Sequence, residues 1–282
     1  MGCALRRAAP ANVEITALDR SELDITNSDD VVRCVAALRP DWIINAAAYT
    51  AVDAAESAPQ PAFAVNRTGA ANLAAAAAEQ GARMLQVSTD YVFDGRQGHP
   101  YRADDPTAPL NVYGESKRAG EVAVMEQLGD RALVVRTAWL YSEMPGNFFH
   151  TISRLLSERE RVEVVEDQVG TPTLAADLAA LLWEAVDRDL YGLHHWTNAG
   201  VASWYDFAVA IAEEMAVRGL AKRLASVVPV SSDRFPRAAA RPGYSVLACS
   251  LAEAADRWRA PRRHWRTALR ALMDQCSNKT IT

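Results

Sequence analysis

Tyr113 and Lys117 are the residues of this chain whose types and spacing best suit proton chemistry. Residues four apart lie on the same face of an α-helix, so a phenol and an ammonium group would share one surface. Ser88 and Thr89 place hydroxyl groups upstream in the same stretch, residues 86–117. A phenol beside a lysine, with a hydroxyl opposite, can move a proton onto or off a carbonyl oxygen. The pattern therefore predicts acid–base chemistry on a carbonyl compound.

A strand and a helix must position these side chains. Residues 85–90 read as a buried strand that ends in hydroxyls and a carboxylate, and a loop rich in Gly, Pro and Asp follows. The helix opens with Tyr113 and continues to Leu128. In an open α/β sheet, ligands bind at the carboxyl ends of the strands. The predicted site therefore lies at the carboxyl end of the strand 85–90.

Composition and charge exclude several classes of protein. The 282 residues are 50% hydrophobic, which allows one large domain or a domain with a lobe. The net charge of -5, without a basic run, argues against a nucleic-acid partner. No apolar run is long enough to span a membrane, and four scattered cysteines without a CxxC pair are typical of reduced thiols. We therefore predict a cytoplasmic protein with no nucleic-acid or membrane partner.

Predicted strands and helices alternate through about residue 145, which indicates an α/β fold with a doubly wound parallel sheet of the Rossmann type. We assign residues 1–145 to a dinucleotide-binding domain, to which residues 165–188 return, and residues 146–282 mainly to a smaller mixed substrate-binding lobe. The predicted strands are 13–19, 42–49, 85–90, 131–136, 162–165, 191–198 and 227–230. The predicted helices are 26–38, 62–80, 113–128, 174–186 and 203–218, one that begins at Asn147, and a terminal helix with Trp258 and Trp265 before a frayed tail at 276–282.

Two segments around Tyr113 and Lys117 match a known family at many positions in order. Residues 88–95 read STDYVFDG, and residues 109–117 read PLNVYGESK. Together they resemble the extended short-chain dehydrogenase/reductases and, within them, the dTDP-4-dehydrorhamnose reductases, whereas a YxxxK pair alone is a weak signal. The resemblance covers nearly the whole chain except its start. It implies that NADPH or NADH reduces the 4-keto group of a dTDP-4-dehydro-6-deoxyhexose.

The resemblance also implies catalytic roles for three residues. Tyr113 donates the proton to the carbonyl oxygen, and Thr89 orients that oxygen through its hydroxyl. Lys117 holds the nicotinamide ribose, and its positive charge is expected to lower the pKa of Tyr113 from the ordinary value of about 10. Some relatives use Mg²⁺ structurally, but this sequence has no cluster of His, Cys, Asp and Glu with ligand spacing in which to place it.

The implied cofactor-binding residues lie mainly upstream of the strand 85–90. Asp19 would meet the adenosine ribose, while Arg20 suits a 2′-phosphate, so this pair is ambiguous between NAD and NADP. From the residues alone, a solvated turn at Asp19, a helix N-cap near Thr26 and close packing of the alanines stay open. The implied cofactor-binding residues are Asp19, Arg20, Asp24, Ile25, Ala46, Ala47, Ala48, Tyr113 and Lys117.

Substrate contacts are expected around the same strand end. The resemblance implies that Trp139 lies beside the sugar and that Arg241 faces the diphosphate, which a guanidinium fork suits. Taken alone, a strand-end Trp is more often core, and Arg241 lies in a loop with several arginines. Asn66 either steadies the active-site backbone or is an ordinary helix polar group. The implied substrate-binding residues are Thr89, Asp90, Tyr91, Tyr113, Trp139 and Arg241.

The start of the chain departs from the family pattern. A dinucleotide-binding unit opens with a strand and a Gly-rich turn, whereas residues 1–7 read as the helix that follows such a turn. Gly2 could match the last glycine of that turn. We interpret the first residue as lying downstream of the true start, and a shortened, inactive protein is the alternative. Loss of a central strand would expose the edges of its neighbours.

Two other functions stay open. One is a different nucleotide-deoxysugar 4-ketoreductase or epimerase of a natural-product pathway, and the other is a non-catalytic regulatory subunit on the same fold. The missing Gly-rich turn favours the regulatory subunit, whereas the intact Thr89, Tyr113 and Lys117 oppose it. The sequence leaves open the exact sugar, the configuration at C4, the choice of NADH or NADPH, and whether the protein is a homodimer.

Overall fold

The computed structural model describes residues 1–221, 223–249 and 262–279. Its α-helices are α1 (Gly2–Arg7), α2 (Ser28–Leu38), α3 (Val52–Ser57), α4 (Pro59–Phe63), α5 (Ala70–Gln80), α6 (Val112–Leu128), α7 (Phe148–Glu158), α8 (Ala175–Asp187), α9 (Trp204–Val217) and α10 (Trp265–Lys279). Its strands are β1 (Trp42–Asn45), β2 (Arg83–Thr89), β3 (Ala132–Thr137), β4 (Leu140–Tyr141), β5 (Arg161–Val165), β6 (Val169–Gly170), β7 (Thr173–Leu174), β8 (Gly192–His195), β9 (Ala202–Ser203) and β10 (Ser226–Val230).

The main sheet of the described residues has four parallel strands in the order β1–β2–β3–β8. Leu85 of β2 pairs with Ile44 of β1 on one side and with Leu133 of β3 on the other. Every residue of β3 is buried, as is typical of a parallel strand covered on both faces. Because the strands are parallel, the carboxyl ends of β1, β2 and β3 meet at one edge of the sheet.

Helices cover both faces of this sheet, because successive side chains of a strand point to opposite sides. Leu85 and Val87 of β2 pack in one hydrophobic cluster with residues of α1 and α8. Met84 of β2 and Val134 of β3 pack in another cluster with residues of α2, α5 and α6. The prediction of a doubly wound parallel sheet is therefore confirmed.

A separate hydrophobic core forms in the C-terminal part of the chain. It gathers buried residues of α7, α9 and α10, among them Phe149, Phe207 and Leu269. The short parallel pair β5 and β10 packs against it through Val162 and Val164. Smaller two-stranded pairs, β4 with β7 and β6 with β9, lie beside these elements. The described part of the predicted lobe therefore has a mixed α/β core of its own.

Several helix starts follow from capping side chains that the sequence displays. The side chain of Asn27 accepts hydrogen bonds from two backbone N–H groups of α2, and that of Asn147 accepts one from α7. Ser203 and Asp206 form a capping box at the start of α9. These side chains satisfy N–H groups that have no partner within the helix. The predicted starts of the three helices are confirmed.

The prediction of a strand at residues 13–19 is wrong. The structure has no strand in this segment, and Val13, Ile15 and Leu18 are 39%, 39% and 41% exposed. A strand is stable only when a neighbour pairs with its backbone. Among the described residues, β1 pairs with β2 alone, so its second edge does not pair with this segment and the segment has no strand partner.

Other element boundaries differ from the prediction. The predicted strand 42–49 ends at Asn45, and the predicted helix 62–80 is interrupted by a π-helical segment, Ala64–Gly69. The predicted frayed tail is helical in its first residues, because α10 extends to Lys279. Trp265 begins α10, whereas Trp258 lies outside the described residues.

The main sheet also takes a strand from beyond residue 188. β8 pairs in parallel with β3, although the predicted division of the chain placed this segment in the substrate-binding lobe. α8 precedes β8 and packs on the sheet through Leu178 and Leu182. The described chain contains no helix that is both long and apolar enough to cross a membrane.

Candidate active site

The amino end of α6 carries Tyr113 and Lys117. The helix starts where the side chain of Asn111 accepts a hydrogen bond from Gly114 N at 2.8 Å. Lys117 is only 4% exposed, and its Nζ donates to the carbonyl oxygen of Val87 at 2.7 Å. A buried ammonium thus ties α6 to β2 close to the carboxyl end of that strand. A Cβ at Gly114 would overlap the backbone oxygen of Tyr91, so the helix approaches that segment more closely than another residue would allow.

Burial dominates the electrostatics of both side chains. It lowers the pKa of Lys117 to about 8, although the Glu121 carboxylate acts in the opposite direction. Burial raises the pKa of Tyr113 to about 12, a hydrogen bond with the Thr89 side chain lowers it, and the charge of Asp90 raises it further. The expectation that Lys117 lowers the pKa of Tyr113 below its ordinary value is therefore wrong. In this structure Tyr113 keeps its proton at neutral pH.

Thr89, Asp90 and Tyr91 follow one another at the carboxyl end of β2. The Thr89 hydroxyl donates to Asp90 Oδ1 at 2.9 Å and accepts a hydrogen bond from Tyr91 N at 3.1 Å. Asp90 is 2% exposed, and burial raises its pKa to about 6 despite hydrogen bonds with Ser245 and Thr89. The ring of Tyr91 meets that of Tyr113 edge to face, with centroids 5.7 Å apart. The structure therefore brings these predicted residues together around the Tyr113 phenol.

Sequence reasoning missed a buried ion pair behind this site. Glu121 Oε1 accepts hydrogen bonds from Ser88 Oγ at 2.6 Å and from Arg136 Nε at 2.8 Å, and Oε2 accepts from Arg136 Nη2 at 2.7 Å. Glu121 and Arg136 are each 1% exposed. The signal was present, because Glu121 lies four residues after Lys117 and therefore on the same helix face. The pair joins α6 to the carboxyl ends of β2 and β3.

His195 of β8 extends this network in its neutral form. Its Nδ1 lies 3.1 Å from the carbonyl oxygen of Tyr101, and its Nε2 lies 3.3 Å from Arg136 Nη1. The carbonyl needs a donor and the guanidinium needs an acceptor, so the proton belongs on Nδ1. Burial first, and the charge of Arg136 second, lower the pKa of His195 to about 3. His195 therefore completes the network without adding a second positive charge.

The carboxyl end of β1 offers small side chains and a fixed backbone. Ala46 is half-buried, and Ala47 and Ala48 are exposed. Asn66 fixes the backbone next to them, accepting from Tyr49 N at 2.9 Å and donating to Tyr49 O at 3.1 Å. Asn66 lies in the π-helical segment Ala64–Gly69, and π-helical turns are frequent at functional sites. These two hydrogen bonds are what the reading of Asn66 as a residue that steadies this backbone expects, and its role in an active site stays a prediction.

The other predicted cofactor residues lie in turns before α2. Asp19 is exposed, and its Oδ1 accepts from Ser21 Oγ at 2.6 Å and from Ser21 N at 2.8 Å, two hydrogen bonds that lower the pKa of Asp19. Asp24 Oδ1 accepts from Thr26 N at 3.0 Å, and this contact lowers the pKa of Asp24. The carbonyl oxygen of the next residue, Ile25, accepts from Asn72 of α5 at 2.9 Å. Arg20 is exposed, and its charge also lowers the pKa of Asp24.

Arg241 and Trp139 each have a well-defined environment. Arg241 makes a bidentate pair with Asp53 of α3, with N–O distances of 2.8 Å and 2.7 Å. The hydrogen bond from Arg241 lowers the pKa of Asp53 to about 2. Trp139 follows β3 and stacks on Trp204, with ring centroids 3.5 Å apart. Among the described residues, no group of three or more His, Cys, Asp and Glu could hold a metal ion.

The fold and the site together define the class of this protein. A parallel sheet wound on both faces, with Thr89, Tyr113 and Lys117 at its carboxyl edge, is the arrangement of an extended short-chain dehydrogenase/reductase. The family model for the RmlD substrate binding domain matches residues 1–278, and the chain belongs to this family.

Curated relatives and solved structures agree with this assignment. The chain is 47% identical over 264 residues to a dTDP-4-dehydrorhamnose reductase of Streptomyces griseus, which covers 90% of this chain and 83% of the relative. It is 42% identical over 262 residues to a dTDP-4-keto-6-deoxy-D-glucose reductase of Streptomyces niveus, covering 92% and 87%. A crystal structure of dTDP-4-dehydrorhamnose reductase from Bacillus anthracis in complex with NADP has a TM-score of 0.91 at 37% identity, covering 97% of this chain and 95% of that one.

Proposed function

We propose that this protein is an oxidoreductase that uses NAD(P)H to reduce the 4-keto group of a dTDP-4-dehydro-6-deoxyhexose, with dTDP-4-dehydrorhamnose as substrate and dTDP-L-rhamnose as product. The observation that carries the proposal is the meeting of Thr89 with Tyr113 at the carboxyl end of β2, next to the buried Lys117. The names of the relatives from Streptomyces griseus and Bacillus anthracis support the same reaction.

The cofactor supplies a hydride from the nicotinamide when it is bound. Ala46, Ala47 and Ala48 fit a dinucleotide, because small side chains at a strand end let a ligand approach the backbone, which Asn66 holds in place. Lys117 would contact the nicotinamide ribose, and Asp24 and Ile25 the adenine. Asp19 and Arg20 would contact the adenosine ribose. The relative from Bacillus anthracis was crystallised with NADP, which favours NADPH for this chain.

Tyr113 is the proton donor in this proposal. Its pKa of about 12 keeps the phenol protonated at neutral pH, so the proton is available when negative charge develops on the carbonyl oxygen. Thr89 would orient that oxygen with its hydroxyl. Lys117 stays largely protonated at pH 7, because its pKa is about 8, so it would bind the nicotinamide ribose as a cation.

The remaining substrate contacts follow from the position of each side chain. Asp90 and Tyr91 adjoin Thr89 and would bind the sugar with it. Trp139 would lie beside the sugar as an apolar wall. Arg241 would face the diphosphate while Asp53 holds its guanidinium, since a planar fork can serve a carboxylate and a phosphate on different edges.

Consumption of NADPH with enzymatically prepared dTDP-4-dehydrorhamnose tests the proposal directly. We expect NADPH oxidation that depends on the ketone, and dTDP-L-rhamnose as product by NMR. Calorimetric titration of NADPH and of dTDP-L-rhamnose should be run on the same preparation. Binding of both without turnover would contradict the proposal and favour the non-catalytic regulatory subunit.

A second candidate is another 4-ketoreductase or epimerase that acts on a nucleotide-deoxysugar. The relative from Streptomyces niveus, named dTDP-4-keto-6-deoxy-D-glucose reductase, supports this alternative at 42% identity. The two candidates differ in the ketone they accept and in the face of the ketone that receives the hydride. Turnover of both ketones, with the C4 configuration of each product determined by NMR, separates them.

The division of labour and the setting of the protein are also part of the proposal. We infer a dinucleotide-binding domain formed by residues 1–145 with 165–188 and with β8 of the main sheet, and a mainly substrate-binding lobe formed by the rest of 146–282. We further infer a cytoplasmic location, because the free thiols of Cys3, Cys34, Cys249 and Cys276 fit a reducing compartment. We also propose that the protein is a homodimer. Light scattering coupled to gel filtration tests the dimer, for which a monomer at working concentration is the opposing result.

A further inference from the structure

We propose that Trp204 is a positioning residue that holds the indole of Trp139 as a fixed wall of the sugar subsite. The proposal rests on the proposed function, because that function places Trp139 beside the sugar. Trp204 itself lies at the start of α9, in the C-terminal part of the chain. Neither the motif around Tyr113 nor any other signal in the sequence links Trp204 to the substrate site.

The two indoles form a close parallel stack. Their ring centroids lie 3.5 Å apart, and their planes differ by 3°. Phe148 packs against the ring of Trp204, with centroids 4.5 Å apart, and stacks on Phe207 of the lobe core at 5.4 Å. Trp204 is therefore backed by the half-buried Phe148, which itself packs on the buried Phe207, and offers Trp139 a supported surface.

The backbone of Trp139 is held in a conformation that few residues adopt. Its φ is 48°, in the left-handed region that side chains with a Cβ seldom occupy. Such a conformation persists only where surrounding contacts fix it, and such residues cluster at ligand sites. A hydrogen bond from Thr173 N to Trp139 O at 3.1 Å fixes the backbone, and the stack on Trp204 fixes the ring.

Gly170 also lies against the ring of Trp139. A Cβ at Gly170 would lie 2.6–2.9 Å from three atoms of the Trp139 indole. Gly170 pairs with Ala202 in the β6–β9 ladder, and Trp204 follows that ladder directly. One short pair of strands therefore sets both surfaces that define where Trp139 lies.

Trp139 and Thr89 lie at the same edge of the main sheet, next to the proposed reaction centre. Trp139 follows Thr137 by two residues, and Thr137 is the ladder partner of Thr89 in the parallel pair β2–β3. Trp139 therefore leaves the same sheet edge as the hydroxyl that would orient the carbonyl oxygen. An apolar ring at this place would cover the sugar, whereas the nucleotide part would extend away from it.

Circular dichroism and calorimetry on three variants test the proposal. Two stacked indoles give an exciton couplet in the circular dichroism spectrum. Trp204→Leu and Trp204→Phe should both remove this couplet, but Trp204→Phe keeps an aromatic ring against Trp139. Calorimetry then compares dTDP-L-rhamnose with dTDP, which lacks the sugar. Trp42→Leu is the matched control, because Trp42 lies at the opposite end of β1, against Arg83.

We expect Trp204→Leu to weaken dTDP-L-rhamnose binding roughly two- to tenfold, the value of an aromatic pair, and to leave dTDP binding unchanged. Trp204→Phe should recover most of this loss, and Trp42→Leu should keep both the couplet and the affinity. The proposal is overturned if the couplet survives in Trp204→Leu, if sugar-nucleotide affinity does not change, or if both ligands weaken equally.

Gly170→Ala provides a second route if Trp204→Leu does not fold. It displaces the Trp139 ring and leaves Trp204 in place, so the same sugar-specific loss is expected. Unchanged binding of dTDP-L-rhamnose in this variant would overturn the proposal. These experiments measure binding and therefore do not depend on turnover. If the wild-type protein binds dTDP-L-rhamnose but does not reduce the ketone, the proposed function is refuted, whereas the role of Trp204 can still be tested.

Discussion

Tyr113 and Lys117 share a helix face, yet burial shifts their proton affinities in opposite directions. The phenol is held to its proton, with a pKa of about 12, while the ammonium is brought to a pKa of about 8. Both shifts disfavour the charged form, as expected for groups removed from water. A donor that keeps its proton suits reduction of a ketone, in which a proton must be delivered to oxygen. As pH rises, Lys117 therefore loses its proton near pH 8, whereas Tyr113 keeps its proton until about pH 12.

Removal of the phenol should abolish most turnover. Tyr113→Phe keeps the ring and loses the proton, so we expect turnover to fall about a hundred- to ten-thousand-fold while calorimetric affinity for the sugar nucleotide is retained. Tyr191→Phe, at a residue that is 61% exposed, should leave turnover unchanged. Wild-type turnover in Tyr113→Phe would refute the role of Tyr113.

The pH dependence of turnover should report Lys117. Its pKa is depressed to about 8, so the cation is present below that pH and is lost above it, whereas Tyr113 remains protonated throughout. We therefore expect turnover at saturating substrate to decline as pH rises through about 8. In Lys117→Arg the cation does not titrate in this range, so residual turnover should lack that decline. A wild-type profile that is flat from pH 7 to about 10 would contradict this assignment.

Buried side-chain hydrogen bonds hold helix α6 in place against strands β2 and β3. α6 is joined to β2 through the Lys117 ammonium on Val87 O and through Glu121 on Ser88, two points one helical turn apart. Arg136 of β3 completes the contact with two hydrogen bonds to Glu121. A buried charge pair is costly to split, because the partner left behind has no compensating charge.

Glu121→Gln should therefore be strongly destabilising. We expect the free energy of unfolding in urea to fall by about 3–5 kcal/mol, because Arg136 stays buried without its counter-charge. Glu115→Gln is the matched control on the same helix, since Glu115 is exposed, and it should change the free energy by less than about 0.5 kcal/mol. Equal effects of the two substitutions would show that the buried pair adds no stability.

At the scale of the whole molecule, residues distant in sequence meet around the site. Asp53 of α3 pairs with Arg241, and it also accepts a hydrogen bond from Ala239 N at 3.1 Å. Asn111, which caps α6, donates to the carbonyl oxygen of Ala240 at 2.8 Å. Residues 239–241 therefore rest on the amino ends of α3 and α6, the helix that carries Tyr113. The mobility of this segment should depend on Asp53.

Asp53→Ala should loosen residues 239–241 without unfolding the protein. The Asp53 and Arg241 side chains are 39% and 18% exposed, so the pair is worth only a modest amount, and we expect roughly two- to fivefold faster amide exchange in this segment. Hydrogen exchange with mass spectrometry measures it. Asp233→Ala, at an exposed carboxylate of the same lobe, should leave the exchange unchanged. Unaltered exchange in Asp53→Ala would mean that other contacts hold the segment.

Local chemistry made much of the fold predictable. The capping side chains of Asn27, Asn147 and Ser203 act on backbone groups a few residues away, so their effect can be read from short segments. Residues 13–19 mark the opposite case. Their apolar pattern predicts a strand, but pairing with a neighbour decides whether one forms, and a local pattern carries no information on that neighbour.

The sequence by itself determined the family and the doubly wound sheet, and it singled out Thr89, Tyr113 and Lys117 as candidates, because motif spacing and strand–helix alternation are properties of contiguous segments. Only the tertiary structure decided the partners of Arg241, Trp139 and Glu121, and the upward shift of the Tyr113 pKa. Burial and pairing arise when segments distant in sequence pack together. A pKa and a contact therefore depend on the folded surroundings, which no local pattern specifies.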